Sequence, residues 1–281
     1  MGKSLPLFLS LSLLLLAHRG HGQPAVRTVA PCGSQHHQDS LVARYLTNGA
    51  HRISYLSPRW ALYCDSLIAA CPTFAYAYQQ KAMPLITTGQ YQETFALLDQ
   101  AVALDPDHWL AYRGFLKCIF TKDYEGALVD FGQAARLKPN GREMDHTYPF
   151  FRGLCQLELG RFARAEAEFS RDLAQQRGAD GTGDVHFNTL FYLGVLHVEM
   201  KHYDRATAYL AQCLRAYPQH PEANYYTALA CRAQGKEAAA QQHLAAAQKA
   251  LVAGYRLNED NIFYANYPRQ ITEFEVRRAA R

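Results

Sequence analysis

One recurring stretch constrains this chain more than any other feature. Residues 89–106 read GQYQETFALLDQAVALDP. Versions of it return as KDYEGALVDFGQAARLKP (122–139), GRFARAEAEFSRDLA (160–174) and KHYDRATAYLAQCLRAYP (201–218). A period in the thirties means a supersecondary unit that buries its apolar flank only against its neighbours, so the copies stack into one elongated body. Pro106 and Pro139 take equivalent positions one period apart. Inside each copy the apolar residues recur at three, four and seven, which puts them on one helical face. Tyr91, Leu98 and Ala101 form such a set, as do Tyr124, Ala127, Phe131 and Ala134. Another helix precedes each: Tyr78, Ala82 and Leu85 share a face before Gly89 breaks the run. Pro106, Pro139 and Pro218 stop the second helix of their units.

Taken along the chain, the pattern predicts helix pairs over 75–107 and 108–139. After a short insertion at 140–145 comes a fourth unit carrying Gly153, Gly160, Phe162, Ala165 and Phe169. Two more follow at 187–219 and 221–254. A degenerate first pair, from Leu41 to Leu46 and from Arg59 to Cys71, is stopped by Pro72 and reads as an atypical capping unit. Residues 177–184 (RGADGTGD) alternate Asp180, Thr182 and Asp184 as calcium ligands do. The turn glycine and the distal acid of an EF-hand are missing, so an ordinary connector is the better account. The expected fold is all-α: an α-solenoid of about five to six helix–turn–helix units over 41–254. An irregular lead-in is expected at 23–40 and a tail at 255–281. The tail lacks a helical period, yet Ile262, Phe263, Tyr264, Tyr267, Ile271 and Phe274 all need burial. Residues 258–276 are therefore expected to fold back over the C-terminal units, capping them or filling their groove.

Residues 1–22 begin with Lys3, continue with the apolar run LPLFLSLSLLLLA (5–17) and end in small residues at 20–22. The run is too short to span a bilayer, and the arrangement is that of a secretory signal peptide. Export to the periplasm or the medium is the expectation, with no transmembrane segment once the signal is removed. Removal takes Lys3 and Arg19 and leaves 27 basic against 25 acidic residues. A near-neutral chain without a dense basic block has no electrostatic footprint for nucleic acid.

All seven cysteines lie beyond the signal segment, and some should pair in an oxidising compartment. Cys64 and Cys71 are seven apart on one helix, about 10 Å by helical rise, too far to bridge each other. Cys213 with Cys231 is the favoured pair, since their helices should pack. Cys118 with Cys155 is an alternative, and Cys32 can reach Cys64 or Cys71. The competing account is that they are small buried core residues.

The repeat residues resemble tetratricopeptide repeats. The resemblance rests on Gly89, Tyr91, Thr94, Leu98, Ala101 and Pro106; on Tyr124, Ala127, Phe131, Ala134 and Pro139; on Gly160, Phe162, Ala165 and Phe169; and on Leu193, Gly194, Tyr203, Ala206, Leu210 and Pro218. Thr94 stands for the usual small residue, Asp172 occupies a usually small slot, and Glu237 replaces the turn aromatic. The resemblance implies a right-handed superhelix whose concave groove, lined by the first helices, binds peptides or protein segments.

By register, the inward slots hold Arg113 and Lys117 in one unit, then Phe150 and Phe151, then Phe191 and Tyr192, then Tyr225 and Tyr226. Two readings stand for Phe151, Tyr192 and Tyr226: contact with a ligand, as rigid aromatic anchors, or plain packing. Phe150, Phe191 and Tyr225 occupy slots where the family packs an aromatic. Arg113 and Lys117 either hold an acidic segment or form a solvated basic face. His197, Glu199 and His202 imitate a zinc motif, but the histidines are five apart, not four. Without a nucleophile elbow, phosphate loop or metal set, the chain reads as a scaffold for a protein or peptide partner, with no enzyme activity and no cofactor. The alternative is recognition of cell-surface glycan or peptidoglycan fragments by the aromatics.

Overall fold

Five residues with left-handed backbone set the layout: Gly89 (φ 79°), Lys122 (56°), Gly160 (69°), Lys201 (59°) and Gly235 (74°). Each ends one helix and admits the next two residues later. The residue after each turn sends its N–H back along the finished helix. Gln90 donates to the Leu85 carbonyl, Arg161 to Gln156, His202 to His197 and Lys236 to Cys231, at 2.8–2.9 Å. This six-to-one bond satisfies carbonyls that a helix end leaves orphaned. At Lys122 the bond spans one residue more, from Asp123 to Lys117 at 2.9 Å, because Lys117–Thr121 is wound as a π-helical turn.

A computed structural model describes residues 32, 34–179, 181–257 and 266–281. The expected signal segment, most of the lead-in, Asp180 and the tail residues Ile262, Phe263 and Tyr264 lie outside them. Helix α1 (Gln35–Leu41) runs into a π-helical stretch, Val42–Thr47, and α2 (Pro58–Ala70) follows. Five hairpins come next: α3 (Ala75–Thr87) with α4 (Tyr91–Leu104), α5 (Pro106–Leu116) with α6 (Tyr124–Leu137), α7 (Tyr148–Glu158) with α8 (Phe162–Arg177), α9 (Phe187–Glu199) with α10 (Tyr203–Ala216), and α11 (Pro221–Ala233) with α12 (Glu237–Val252). Helix α13 (Glu273–Ala279) closes the chain. Consecutive helices pack in series, which is the α-solenoid that the period demands.

The helices of a pair approach closely because the contact residues are small. A Cβ on Gly153 would lie 2.8 Å from Phe169 Cδ1, and one on Gly194 2.5 Å from Leu210 Cγ. Facing them, Ala127, Ala165, Ala206 and Ala240 are fully buried. Thr94 fits the same slot because its hydroxyl donates to the Gln90 carbonyl at 2.7 Å, leaving no unpaired polar atom. Asp172, the other departure, is a hub. It is fully buried and accepts from Thr147 Oγ1 (2.8 Å), Thr189 Oγ1 (2.7 Å) and Gln176 Nε2 (2.7 Å), so it ties α8 to the starts of α7 and α9.

Three expectations need correction. The lead-in turns helical at Gln35, because the Ser34 side chain caps the His37 N–H. The insertion at 140–145 carries a two-residue antiparallel ladder, β1 (Arg142–Glu143) and β2 (His146–Thr147), too short to show in a periodicity. The favoured cysteine pair is absent. Cys213 belongs to the main apolar cluster and Cys231 to the C-terminal one, and both thiols are free. Cys32 bonds Cys71 with the Cα atoms 5.3 Å apart. Cys118 and Cys155 meet across two units, sulfur to sulfur at 3.5 Å, as buried free thiols. Burial pushes the Cys155 thiol well above its ordinary range.

Candidate binding groove

The first helices of the units carry the predicted aromatic ladder, but most of it faces neighbouring helices and not solvent. Phe150, Phe151, Phe191 and Tyr192 are fully buried. Phe151 lies flat on Phe131 of the preceding unit, with centroids 4.9 Å apart. Tyr192 meets Phe150 edge-on at 5.7 Å and Phe191 meets Tyr226 at 5.8 Å. These rings form an internal spine: Phe131 of α6 covers Phe151, Phe169 of α8 stacks on Tyr192, and Phe191 of α9 covers Tyr226. Tyr225 is half-buried and packs beside Tyr226 and the C-terminal cluster.

Arg113 and Lys117 also have an internal task. Arg113 grips Asp130 with two bonds, Nε at 2.9 Å and Nη2 at 2.6 Å, and reaches Asp99 with Nη1 at 2.6 Å. Lys117 Nζ lies 2.9 Å from the same Asp130, whose side chain is 1% exposed. A buried carboxylate demands cations or donors. The two bases therefore neutralise an acid of their own unit, and they do not present an unmet positive charge to an acidic segment.

What covers the C-terminal half of the first-helix face is the tail. Asn266 to Gln270 runs without helix, and Thr272 then caps α13 with Glu275 in a reciprocal capping box. The Tyr192 hydroxyl donates to the Pro268 carbonyl at 2.8 Å. Lys122 Nζ donates to the Asn266 carbonyl. The Ile271 N–H donates to Glu222 Oε1 at 3.4 Å. Arg269 donates to Glu158 at 2.7 Å and pairs with Glu199, and its charge acts on the Tyr226 hydroxyl beside it. Burial alone would loosen the proton of Arg269, but the two carboxylates hold it above the ordinary guanidinium range. Burial pushes the Tyr226 hydroxyl up to about 12, so it stays protonated. Tyr267 and Ile271 are buried by this docking. The fold-back expected of 258–276 is thus present over 266–276, and it both fills the face and caps the last hairpin.

Among the described residues an open space remains beside the docked tail, with Leu257 and Tyr267 at its edge. A cavity of about 620 Å³ is lined by Met83 and Ile86 of α3, Tyr112 and Phe115 of α5, His146 of the hairpin, and His186, Tyr217 and Leu257 from the C-terminal side. Residues of α3 and of the α10 end lining one cavity means that the array curls. His146 and His186 meet edge to face at 4.7 Å. Burial holds His146 down to about 3 and lowers His186 as well, so both rings are neutral at pH 7, in a wall of mixed polarity that also carries Asp145 and Arg256.

Sequence reasoning missed Glu158 and Glu222, and it noticed Glu199 only as part of a zinc-like set. A signal existed: Glu158 and Glu199 are the last residues of α7 and α9, each two before its turn residue, and the corresponding positions elsewhere are Thr87, Phe120 and Ala233. Two acids at one register in adjoining units mark a place for a cation.

Residues 193–256 match the tetratricopeptide repeat family model. Among solved structures the fold is similar to PilW, a type IV pilus biogenesis factor, with a TM-score of 0.59 at 15% identity, over 77% of this chain and 94% of that one. It is similar to pilF of Pseudomonas aeruginosa, with a TM-score of 0.58 at 16% identity, over 75% and 90%. A tetratricopeptide repeat protein from Parabacteroides merdae gives 0.58 at 16%, over 78% and 87%. No curated protein matches the sequence. The family model covers 193–256, and the same kind of helical hairpin repeats from Ala75 onward, so the chain is built from tetratricopeptide-like repeats.

Proposed function

We propose that the chain is an exported, non-catalytic scaffold that binds an extended segment of a protein partner on its first-helix face. The observation that carries this reading is the chain's own segment 266–271, which lies on that face without helix. It is held through main-chain atoms by Tyr192, Lys122 and Glu222. Contacts to a backbone do not depend on the side chains of what is bound, so the same donors and acceptors serve another extended segment. The cavity between α3, α5 and His186 lies beside the docked tail and supplies some apolar wall for partner side chains. The fold relative PilW is a pilus biogenesis factor, which agrees with a role in assembly. The N-terminal signal pattern and the Cys32–Cys71 bridge support the exported location.

The test is selection of displayed random peptides on the full chain. Selected binders should compete with one another and lose at least tenfold in affinity against Met83→Glu, which charges the cavity wall. They should bind Val129→Glu, on the exposed side of α6, as they bind the unaltered chain. Binders indifferent to Met83, or none at all, would remove the reading. N-terminal sequencing of the exported product should start near Gln23.

A further inference from the structure

We propose that Glu158, Glu199 and Tyr226 form an arginine-selective subsite of this groove, that the partner segment carries an arginine there, and that Arg269 occupies it in cis until the partner displaces it. The inference rests on the reading of the groove as a peptide site and names the chemistry that the site selects.

The two carboxylates belong to different units, yet both reach one guanidinium, Glu158 at Nε and Glu199 at Nη1. Neither has another cation at ion-pair distance among the described residues. Without a guanidinium the site would hold two like charges side by side, half withdrawn from water, and such a pair repels. A planar fork with five donors meets two carboxylates and a phenol oxygen at once, whereas an ammonium is a point charge that cannot span them. The demand for arginine is thus built into the repeat face and is independent of which chain supplies it.

The tail's other contacts differ in kind. Tyr192, Lys122 and Glu222 hold backbone atoms, so they fix direction and depth without reading sequence. Side-chain recognition falls on Arg269, with the buried Tyr267 ring as an apolar anchor beside it. The C-terminal part of the tail is anchored separately: Ile271 and Val276 join the apolar cluster with α12, and Arg232 donates to the Ala279 carbonyl. Segment 266–270 can therefore leave the groove while α13 stays seated. A tethered segment competes at an effective concentration on the order of millimolar, so a tail of about 10 μM intrinsic affinity weakens a competing peptide on the order of a hundredfold. The tail thereby sets a threshold that only a better segment crosses.

The experiment uses the full chain and two labelled, end-blocked peptides in fluorescence anisotropy. One has the sequence of residues 266–271, and the other is the same with Arg269→Glu. The Arg269→Glu chain should bind the first peptide at least tenfold more tightly than the unaltered chain does, and the second at least tenfold more weakly than the first. Adding Glu199→Gln should reduce binding of the first peptide several-fold and narrow the gap between the two. Should circular dichroism show that Arg269→Glu does not fold, Arg269→Gln removes the charge without repulsion and serves in its place. A folded variant that binds both peptides alike overturns the arginine subsite and leaves the groove a peptide site. A folded variant that binds neither up to millimolar concentration overturns it too. The groove reading itself fails separately, through the Met83 selection above.

Discussion

The hydroxyl of Tyr192 donates a 2.8 Å hydrogen bond to the carbonyl oxygen of Pro268, across 76 residues and inside the protein. A ring that the repeat register offers as a ligand anchor already holds a ligand, and that ligand is the chain itself. Burial raises the phenol well above its ordinary range, so it remains a donor at every pH at which the fold survives. Tyr192→Phe keeps the ring's contacts with Phe169 and Phe191 and removes only the donor. The loss should be about 1 kcal/mol. It should fall on the tail: amide exchange at Ile271 should quicken about fivefold, while the hairpin amides of α7 to α10 keep their rates. Equal acceleration everywhere would mean that the tail is not a separate unit of opening.

Asp172 carries a heavier load. Its carboxylate has no cation at ion-pair distance among the described residues and is satisfied by two threonine hydroxyls and a glutamine amide from three segments. Asp172→Ala would bury these donors without an acceptor, at a cost of about 3 kcal/mol. Asp172→Asn keeps one acceptor oxygen and should cost about half of that. Urea midpoints with unchanged slope would check both. A loss for the alanine variant smaller than that of one ordinary hydrogen bond would mean that water replaces the carboxylate.

The turns test how the backbone alone contributes. Lys201 and Lys122 both sit at a left-handed φ that costs a side-chain-bearing residue about 1 kcal/mol relative to glycine. Glycine serves the same position at 89, 160 and 235. Lys201 is exposed, and its ammonium has no hydrogen bond or ion pair among the described residues. Glycine also adds freedom to the unfolded chain, which offsets part of the relief, so Lys201→Gly should raise stability by about 0.5 kcal/mol. Lys122 donates its ammonium to the Ile119 and Asn266 carbonyls. Lys122→Gly loses those bonds together with the strain and should gain nothing, and it should loosen the tail. The thermal midpoint should rise for the first variant and not for the second.

The hairpins were legible because local chemistry decides them. A left-handed residue, a small residue on each helix and a proline after the second helix are properties of a few neighbouring residues, and the stack follows from the apolar stripes. Coverage was not legible in the same way. The register places Phe151 on the inner slot correctly, but whether the slot is open depends on Phe131, a ring of another helix. Arg113 and Lys117 have their answer in Asp130, which stands three after Ala127 and four before Ala134, on the buried face of α6. An acid within an apolar stripe announces that a cation must come to it, and the first helix of the same pair is the nearest source. The arginine subsite needed a further step, since Glu158 and Glu199 share a register but their cation lies in a tail that belongs to no repeat. Such pairings join residues far apart along the chain, where periodicity carries no information.

The cavity wall makes stability depend on pH. His146 lies flat on Phe150 at 3.9 Å, edge-on to His186, with Phe151 and Tyr267 around it, and its Nδ1 has no hydrogen-bond partner among the described residues. Burial is the main reason its pKa falls from 6.5 to about 3, with the charges of His186 and Arg142 acting in the same direction. The folded ring therefore stays neutral down to about pH 3, while the unfolded chain takes up a proton near 6.5. Between those values the unfolded state binds more protons, so stability falls as the solution is acidified. The contribution is complete above about pH 7 and should be smaller by about 2 kcal/mol at pH 5. Glu143, raised by burial to about 7, takes up its proton in the folded chain over the same window and opposes the histidine limb, so the difference between two chains and not the whole curve reports on His146. His186 is also lowered and adds to the same limb. His146→Gln removes one titrating ring, so its stability should fall by about 2 kcal/mol less than that of the unaltered chain over the interval, whatever the variant costs at pH 7. Urea unfolding at half-unit steps measures this difference directly. Parallel curves for the two chains would mean that the ring takes up its proton in the folded protein, and the cavity wall would then be open to water.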